Sequence, residues 1–531
     1  MIRQKVAKSI EQAIKELQKE GFLPKLPVLN LEIKESQKEI YGDYASSVAL
    51  KIAKITKKQP LEVAEKISHN IKRKNKDFFN QIEVIKPGFI NFFISQKQLR
   101  KELGEALAGG ENFGKLTAGK KIKANVEFIS ANPTGPLHIG NGRGAFFGDC
   151  LANILAFAGF KAYREYYVND TKNSTQILEL GKTALDQGQS YLSPYLESLI
   201  LKLKPHLKKI KSESEAGFFV AQNILGDIKK FVSEKLKIKI DFWIQEHNLF
   251  RQDKVKKIYD TLKKKNLIYE KDKATWLKLD AFDLEDGVLL RENGQPTYFL
   301  SDIAYHKDKI DRGFKKIIDI WGADHQGHVP RMKAVMKILG FKGEFDILIS
   351  QMVQLEGEKI SKRAGKIILL EDLVDAVGLD AVKFFYLMKS LNTQMSFNLA
   401  LAKEKSQKNP VFYVQYAHAR ICSILKKGKT DSLKFNTKYL EFLEHPSEIK
   451  LMRKIIQLPE IIEDTAKDYQ LQRLPQYALE LAESFHSFYR DCYVLSKDKN
   501  LAQARLLLAF CAKNTLKTTL NLMGIQAPEK M

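Results

Sequence analysis

A strand–helix–strand pattern in residues 124–168 restricts the fold more than any other feature of the sequence. Two apolar, strand-like segments, 124–130 and 162–168, flank a segment whose apolar residues recur at helical spacing from Ile139 onward. Strand, helix and strand within 45 residues are typical of a βαβ unit, whose strands are parallel. The sequence therefore predicts an α/β domain built on a parallel sheet.

The helix of this unit begins with an unusual number of glycines. They stand at positions 140, 142, 144 and 148, and each costs roughly 1 kcal/mol in a helix relative to Ala. A β-carbon blocks close approach to the backbone, so we expect a ligand to lie against the start of this helix.

Two nucleotide-binding patterns can be compared with this stretch. Gly142, Gly144 and Gly148 resemble the dinucleotide fingerprint, and Glu165 would be its ribose ligand. That fingerprint places its first glycine directly after the strand, however, and here SANPTGPLHI intervenes. The P-loop pattern fits residues 114–121 only if Lys121 replaces the Ser or Thr that holds magnesium, and that segment precedes its strand. The first pattern is weak and the second is excluded.

Charge and cysteine content restrict the partners and the compartment. The 87 Lys and Arg residues exceed the 63 Asp and Glu residues, a net charge of +24. This excess indicates either lysine-rich solvated helix faces or a polyanionic partner, nucleic acid first. The four cysteines form no C-x-x-C pair, which favours the cytoplasm. No apolar run approaches the roughly 20 residues of a membrane span, so no membrane partner is expected.

The pattern along the chain predicts three domains. Glycines concentrate near 110–120, strand patterns return at 317–324 and 345–355, and only helical patterns follow residue 395. We expect an N-terminal domain at 1–115, a sheet domain at 116–395 with a helical insertion at about 172–275, and an all-α domain at 396–531.

Two polar motifs suggest the chemistry. His138 and Asn141 in PLHIGN lie one helical turn apart at a helix N-terminus, which favours anions. Far downstream, EKISKRAGK (358–366) carries Lys359, Lys362 and Arg363 on a loop after a strand. A cationic loop alone is usually solvated surface, but the two motifs together could hold a triphosphate and stabilise charge as pyrophosphate leaves.

These motifs resemble the HIGH and KMSKS motifs of class I aminoacyl-tRNA synthetases. Asn141 stands in place of the second His, and Arg363 in place of the final Ser. The wider sequence is similar to the arginyl-tRNA synthetase family, through these stretches in order: YGDYASSVAL, PGFINFFIS, EFISANPTGPLHIGNGRG, REYYVND, TYFLSDIAYH, WGADHQGH, KISKRAG, DAVKFFYLMKS, NPVFYVQYAHAR and MGIQAPEKM.

The resemblance implies a fold and an activity. The fold is α/β: a class I Rossmann-like catalytic domain with a helical insertion, an α+β N-terminal tRNA-binding domain and an all-α anticodon-binding domain. The activity is attachment of arginine to its tRNA through an arginyl adenylate, with ATP and Mg²⁺ entering as substrate. No tightly bound cofactor is expected, and we expect a monomer.

The resemblance also implies roles for individual residues. The catalytic set is His138, Asn141, Lys359 and Lys362. The ATP-binding set adds Pro136, Gly140, Gly142, Asp324, His328 and Ser361. The arginine-binding set is Glu127, Ser130, Asn132, Tyr298, Asp302 and His325, with Asp302 and Tyr298 around the guanidinium and Glu127, Ser130 and Asn132 around the α-amino end. The tRNA-binding set is Tyr413, Tyr416, His418, Arg420 and Met531.

Alternatives remain for several of these residues. Asp324, His325 and His328 could suggest a metal site. No fourth ligand is evident, however, so we expect no metal there. Tyr413 and Tyr416 could be ordinary core packing, and Asp302 a helix cap or a surface ion pair. For the whole chain, the rivals are a non-catalytic RNA-binding paralogue and an NAD(P) oxidoreductase. The intact His138, Lys359 and Lys362 count against the paralogue, and nothing in the oxidoreductase class requires KISKRAG.

The cationic motif leads to a direct test. Lys362→Ala should lower the rate of amino-acid activation by orders of magnitude, because a point charge that stabilises the leaving pyrophosphate is lost. The fold should hardly change, because the motif is polar. A variant that charges tRNA at the wild-type rate would show that the loop has been assigned wrongly.

Overall fold

A computed structural model describes residues 1–28, 31–36, 38–75, 77–356, 368–428 and 436–531. Its N-terminal region is a four-stranded antiparallel sheet with helices. The elements are α1 (Ile2–Lys19), β1 (Ile33–Glu35), β2 (Tyr44–Ser46), α2 (Val48–Thr56), α3 (Pro60–Lys74), β3 (Phe79–Ile85), β4 (Phe89–Ile94) and α4 (Gln96–Gly109). The strand order is β1-β2-β4-β3. Helix α1 buries Val6, Ile10 and Leu17 at helical spacing, which explains why an amphipathic sequence begins the chain.

The central region is a parallel sheet with helices, as the βαβ pattern predicts. Its first elements are β5 (Lys123–Glu127), α5 (Ile139–Phe157), β6 (Lys161–Val168), α6 (Thr175–Ala184), α7 (Pro194–Leu207), α8 (Glu213–Lys230), β7 (Phe242–Gln245), α9 (Glu246–Arg251) and α10 (Lys254–Lys264). They are followed by β8 (Ile268–Lys271), β9 (Ala274–Leu277), β10 (Gly287–Leu290), α11 (Tyr298–Asp311), β11 (Lys316–Gly322), α12 (Val329–Ile338), β12 (Glu344–Ser350) and β13 (Val353–Glu356).

Five of these strands form the main sheet, in the order β12-β11-β5-β6-β7, and all its neighbours are parallel. The carboxyl ends of β5, β6 and β11 therefore meet at one edge. Ligands of open α/β sheets collect at this edge.

The segment 172–275 is more varied than the helical insertion that the sequence suggests. It contains helices α6 to α10, but β7 pairs with β6 in the main sheet, from Glu165↔Phe242 to Val168↔Gln245. Strands β8, β9 and β10 form a separate antiparallel sheet. The short strand β7 was missed because the lysine-rich sequence around it has no clear alternation.

Helices dominate the rest of the chain. The elements are α13 (Leu370–Val377), α14 (Leu379–Leu387), β14 (Met395–Asn398), α15 (Leu399–Lys403), α16 (Pro410–Lys427), α17 (Pro446–Ile456), α18 (Leu458–Asp468), α19 (Arg473–Asp491) and α20 (Lys499–Leu522). Strand β14 pairs in parallel with β13, at the point where strand patterns were expected to end. All four cysteines are free thiols. Among the helices described here, none has both the length and the apolar character needed to cross a bilayer.

The first and last regions of the chain are bonded to each other. Arg3 donates to the carboxylates of Glu463 and Asp464 on α18, each at 2.7 Å. The buried hydroxyl of Tyr44 donates to the Glu460 carboxylate at 3.1 Å. The N-terminal region is thus fixed to a helix more than 400 residues away in sequence.

The glycines of α5 are explained in part by protein packing. A β-carbon on Gly148 would overlap the buried ring of Phe128, just after β5, and one on Gly142 would lie 2.8 Å from the end of the Leu370 side chain. A β-carbon on Gly144 would meet Ile320 at 3.6 Å, an ordinary contact. The glycine at position 148 is thus explained by the close approach of Phe128, and not by a bound ligand.

This packing predicts different effects for two alanine substitutions in one helix. Gly148→Ala should lower the free energy of unfolding by about 1–3 kcal/mol, because Phe128 has to move within a packed core. Gly144→Ala should leave stability unchanged or raise it by up to about 1 kcal/mol, through its helix propensity. Urea unfolding of both variants measures the difference. Equal stability of the two would contradict the assigned packing.

Candidate functional site

The start of α5 is stabilised by a reciprocal pair of hydrogen bonds. Nδ1 of His138, the N-cap residue, accepts from the backbone N–H of Gly140 at 3.1 Å, while Oδ1 of Asn141 accepts from the backbone N–H of His138 at 2.9 Å. This is the geometry of a capping box. Asn141 can supply the acceptor of this box, so its departure from the HIGH pattern has a structural role.

The same hydrogen bonds determine which atoms of the two side chains remain available. Desolvation lowers the pKa of His138, which favours the neutral ring. Because Nδ1 is the acceptor, the ring proton of that neutral form lies on Nε2. Nε2 of His138 and Nδ2 of Asn141 are therefore both donors, beside the positive end of the helix dipole, and this arrangement suits an anion.

The chain that follows the cationic motif lies against this helix start. The backbone N–H of Ile139 donates to the carbonyl of Ile368 at 3.0 Å, and that of Leu370 donates to the carbonyl of Leu137 at 2.9 Å. The motif residues Lys359, Ser361, Lys362 and Arg363 lie outside the described residues. The contact of residues 368–370 with α5 nevertheless supports the expectation that the two motifs share one site.

The GADHQGH segment follows the carboxyl end of β11. It forms a 3₁₀ turn, Ala323–His328, in which Asp324, His325 and His328 are exposed. Nε2 of His325 lies 3.4 Å from a carboxylate oxygen of Asp324. Within the ranges that the structure describes, no group of three His, Cys, Asp or Glu residues is arranged to hold a metal ion.

A half-buried carboxylate lies on α11, near the same edge of the sheet. Tyr298 and Asp302 are one helical turn apart, as the sequence predicts. Among the described residues no hydrogen-bond donor reaches the Asp302 carboxylate, so it is neither a helix cap nor a surface ion pair. Its pKa is raised to about 7, chiefly by burial, with His306 opposing the rise and the carboxylates of Glu246 and Glu127 adding to it.

A second carboxylate beside Asp302 was not identified from the sequence. Glu246 is buried at the start of α9, directly after β7, and its Oε2 has no hydrogen-bond partner in the described part of the chain. Burial raises its pKa, the hydroxyl groups of Thr171 and Ser301 oppose the rise, and the Asp170 carboxylate adds to it. The hydroxyl of Tyr167 is also buried without a partner there. Buried polar atoms are normally paired, so these orphaned atoms indicate a ligand with several donors and positive charge.

The backbone after β5 is strained at the other end of this pocket. Ile129 and Ser130 have φ of 70° and 40°, which is uncommon for any residue but glycine and an outlier for a β-branched one. The turn brings Ser130 back so that its Oγ donates to Glu127 at 2.9 Å and accepts from the backbone N–H of Tyr167 at 3.1 Å. Oδ1 of Asn132 accepts from Nδ2 of Asn169 at 2.9 Å.

Glu127 is less accessible than the sequence suggests. It is buried, and its second oxygen accepts from Lys309 at 2.6 Å. Burial raises the pKa of Glu127, whereas the Lys309 ammonium lowers it. Both oxygens of Glu127 therefore already accept hydrogen bonds, and a ligand that contacts Glu127 would also lie beside Ser130.

Glu165 also lies inside the protein, away from the position that a dinucleotide site requires. It is buried, and its carboxylate accepts two hydrogen bonds from Arg312, at 2.6 and 2.9 Å, and one from Tyr305 at 2.6 Å. A carboxylate with these partners is a structural ion pair and cannot bind a ribose.

The helical region presents a cluster of aromatic and cationic side chains. The guanidinium of Arg420 lies 5.0 Å from the ring centroids of both Tyr416 and Tyr489, and Tyr493 is 75% exposed nearby in sequence. Met531 is exposed. The two tyrosines at 489 and 493 were not identified from the sequence, because they are far from the quoted motif.

Two other residues of the expected tRNA-binding set have core contacts. His418 is buried, and its Nδ1 donates to the carbonyl of Pro528 at 2.8 Å, so it holds the C-terminal tail and does not reach the surface. Tyr413 packs against the hydrophobic core and lies 5.0 Å from the His486 ring. The interpretation as core packing therefore fits Tyr413 better than Tyr416.

Comparisons with known proteins match successive parts of the chain. Residues 4–94 match the arginyl tRNA synthetase N terminal domain, residues 196–390 match the catalytic domain of class I (R) tRNA synthetases, and residues 414–531 match the DALR anticodon binding domain.

Relatives match along nearly the whole length. An arginine–tRNA ligase of Dehalococcoides mccartyi is 40% identical over 555 residues, covering 100% of this chain and 99% of the relative. One of Citrifermentans bemidjiense is 40% identical and covers 95% of each. The solved arginyl-tRNA synthetase of Thermus thermophilus has a TM-score of 0.79 at 21% identity and covers 100% of both chains, which shows a shared fold.

Proposed function

The chain belongs to the arginyl-tRNA synthetase family of class I enzymes, and from that premise we propose which of its residues carry out each part of the reaction. Members of the family attach arginine to its tRNA in two steps. The arginine carboxylate first attacks the α-phosphorus of ATP and releases pyrophosphate, and the tRNA 3′-terminal ribose then takes the arginyl group and releases AMP. Such chemistry needs no protein nucleophile and depends on positioning and electrostatics.

The triphosphate is bound at the start of α5. Nε2 of His138 and Nδ2 of Asn141 donate to phosphate oxygens, while Gly140 leaves room for the nucleotide. Gly142, expected from the sequence to line the ATP site, is instead buried against Leu370 and serves the packing of the helix start. Lys359 and Lys362 stabilise the leaving pyrophosphate, and ATP enters as its Mg²⁺ complex. The capping box supports this proposal, because it leaves two donors at a helix N-terminus. Pro136 and Ser361, with Asp324 and His328 on the turn after β11, complete the ATP site.

The unpaired carboxylate of Asp302 is the observation that carries the choice of amino acid. A guanidinium has five donors in a planar fork and pairs with carboxylates in two-point contacts. Asp302 and Glu246 therefore bind the substrate guanidinium with Tyr298 at its side, and the positive charge relieves the repulsion between the two carboxylates. Glu127, Ser130 and Asn132 position the α-amino end, and His325 lies on the neighbouring turn.

The tRNA is bound by the positively charged surface and by the helical region. Tyr416, Arg420, Tyr489 and Tyr493 supply a platform on which unstacked anticodon bases stack, with Met531 nearby in the same region. The N-terminal region binds another part of the same tRNA. We propose that the three domains span residues 1–115, 116–395 and 396–531. We also propose that the enzyme works in the cytoplasm and is a monomer.

Charging of total tRNA with each of the twenty radiolabelled amino acids in turn tests the proposed function. Arginine should be attached in an ATP-dependent reaction, and lysine should be a poor substrate, because its ammonium leaves the polar groups of a fork-shaped pocket unpaired. Failure to charge with any amino acid would refute the enzymatic function, and preference for another amino acid would refute the pocket.

Substitution of the guanidinium partner tests the pocket directly. Asp302→Ala should lower kcat/KM for arginine at least about a hundredfold, because loss of a charged partner of a buried cation usually costs about 2–5 kcal/mol. The KM for ATP should hardly change. Near-normal kcat/KM for arginine would exclude Asp302 from the pocket, even if the protein remained a synthetase.

The raised pKa of Asp302 gives a prediction about pH. Arginine binds the ionised carboxylate, and with a pKa of about 7 that form is lost as the pH falls through neutrality. The value of kcat/KM for arginine should therefore fall about tenfold per unit below pH 7 and level off above it. Asp302→Asn should remove this dependence along with most activity. A flat wild-type profile between pH 6 and pH 8 would contradict the assignment.

The platform and the net charge give a prediction about tRNA binding. The dissociation constant for tRNA should rise steeply with salt concentration, because binding of the phosphate backbone to a protein of net charge +24 releases counterions. Tyr416→Ala should weaken binding by a further about 1–3 kcal/mol if its ring stacks on a base. Phe442→Ala, at an exposed ring outside the cluster, is the matched control. Equal affinities of the two variants would exclude stacking on Tyr416.

A further inference from the structure

Three carboxylates stand side by side in the centre of the main sheet. Asp319 on β11, Glu127 on β5 and Glu165 on β6 are direct register partners across neighbouring parallel strands. All three are buried. Adjacent strands lie about 4.8 Å apart, so three like charges in one row repel strongly unless cations lie among them.

Helix α11 and the residue that ends it supply these cations. Lys309, with no exposed surface, donates to both Glu127 and Asp319 at 2.6 Å. Arg312 pairs with Glu165. One ammonium therefore pairs with two neighbouring carboxylates. Its charge lowers the pKa of Glu127, against the effect of burial, and together with His306 it holds the pKa of Asp319 at about 2.

The ion pairs of Lys309 belong to a longer series of hydrogen bonds. His306 lies on the far side of Asp319, with its Nε2 2.8 Å from that carboxylate and its Nδ1 2.7 Å from the backbone carbonyl of Asp302. Both ring nitrogens of His306 therefore lie within hydrogen-bond distance of an oxygen atom. In order, the series is Ser130, Glu127, Lys309, Asp319, His306 and the carbonyl of Asp302.

This series joins the two ends of the arginine pocket. Ser130 and Glu127 lie at the proposed α-amino end, and Asp302 at the proposed guanidinium end. Within it, the Lys309 ammonium opposes the charges of both Glu127 and Asp319. The unpaired Asp302 and Glu246 are then left to face the substrate cation.

We propose that Lys309 is a positioning residue that fixes the separation between the two ends of the pocket and thereby the preference for the chain length of arginine. Lys309 acts through Glu127 and Asp319 and does not contact the substrate. This inference rests on the proposed arginine pocket and extends it to a residue outside that pocket.

The test compares arginine with homoarginine, whose chain is one methylene longer, using the full-length enzyme, ATP and tRNA. Lys309→Met removes the charge but keeps an unbranched side chain. It should lower kcat/KM for arginine about a hundredfold, since a shift of about 1 Å in a reacting group has that effect. The value for homoarginine should change much less, so the ratio between the two substrates should shrink. The KM for ATP should stay within about twofold.

Arg312→Met is the matched control. It also removes a cation from a buried carboxylate of the same row, next to the end of the same helix, but it breaks no bond in the series from Ser130 to Asp302. Its stability should fall, while its preference between the two substrates should match that of the wild type. An Arg312→Met variant that loses the preference as Lys309→Met does would overturn the proposal, because general loosening would then explain both.

The pH profile separates positioning from a merely structural role. Without the ammonium, the Glu127 and Asp319 carboxylates repel each other, and the acid limb of kcat/KM for arginine should move up by about one pH unit or more. The charged and titratable groups that face this pair are His306, Asp302 and Tyr305 on α11 and Tyr167 and Glu165 on β6. If the acid limb of the kcat/KM profile of Lys309→Met lies at the same pH as that of the wild type, the result would count against the proposal.

A second variant keeps the proposal testable if Lys309→Met does not fold. Asp319→Asn preserves shape but weakens the link between Lys309 and His306, and it should narrow the preference for arginine over homoarginine. If it retains the wild-type ratio, the proposal is wrong. In that case the enzyme would still charge arginine, so failure of this inference is distinguishable from failure of the proposed function.

Discussion

The central constraint on this structure is the burial of a row of negative charges across neighbouring parallel strands. Asp319, Glu127 and Glu165 form a row that could not be buried without cations, and α11 supplies them. Burying an unpaired ion costs several kcal/mol, and this cost is offset only by close ion pairing and complete hydrogen bonding. The position of α11 on the sheet is therefore fixed by charge as well as by packing. The same helix carries Tyr298 and Asp302, so charge compensation and the substrate contacts that we propose belong to one element.

Carboxylates that the protein pairs and carboxylates that it leaves unpaired have different roles. The row across the sheet is satisfied by Lys309, Arg312 and Tyr305. Asp302 and Glu246, by contrast, keep oxygens without a partner among the described residues. Their pKa values are raised because an ionised carboxylate is unfavourable there until a cation arrives. If the proposed pocket binds a guanidinium there, it is complete only with that cation in place and can reject uncharged side chains of similar size.

Local sequence was sufficient for some of these features. The βαβ pattern predicted β5, α5 and β6, and the one-turn spacing of Tyr298 and Asp302 was correct, because each depends on residues close together in the chain. Other features depend on contacts between distant segments. Glu246 becomes part of the pocket only because β7 joins the sheet, and Gly148 is required by Phe128 on the preceding loop. Likewise, nothing near His418 in the sequence shows that the C-terminal tail will cover it.

The bonds between the first and last regions of the chain have a consequence for synthesis on the ribosome. Tyr44 and Arg3 find their partners on α18, which is translated more than 400 residues later. At about 5–20 residues per second, the interval is roughly 20–80 s. Throughout that time the N-terminal region must hold its own fold with the face that later meets α18 open to water. Its sheet and helices have to be stable alone, and the interface with α18 forms only after that helix has been made.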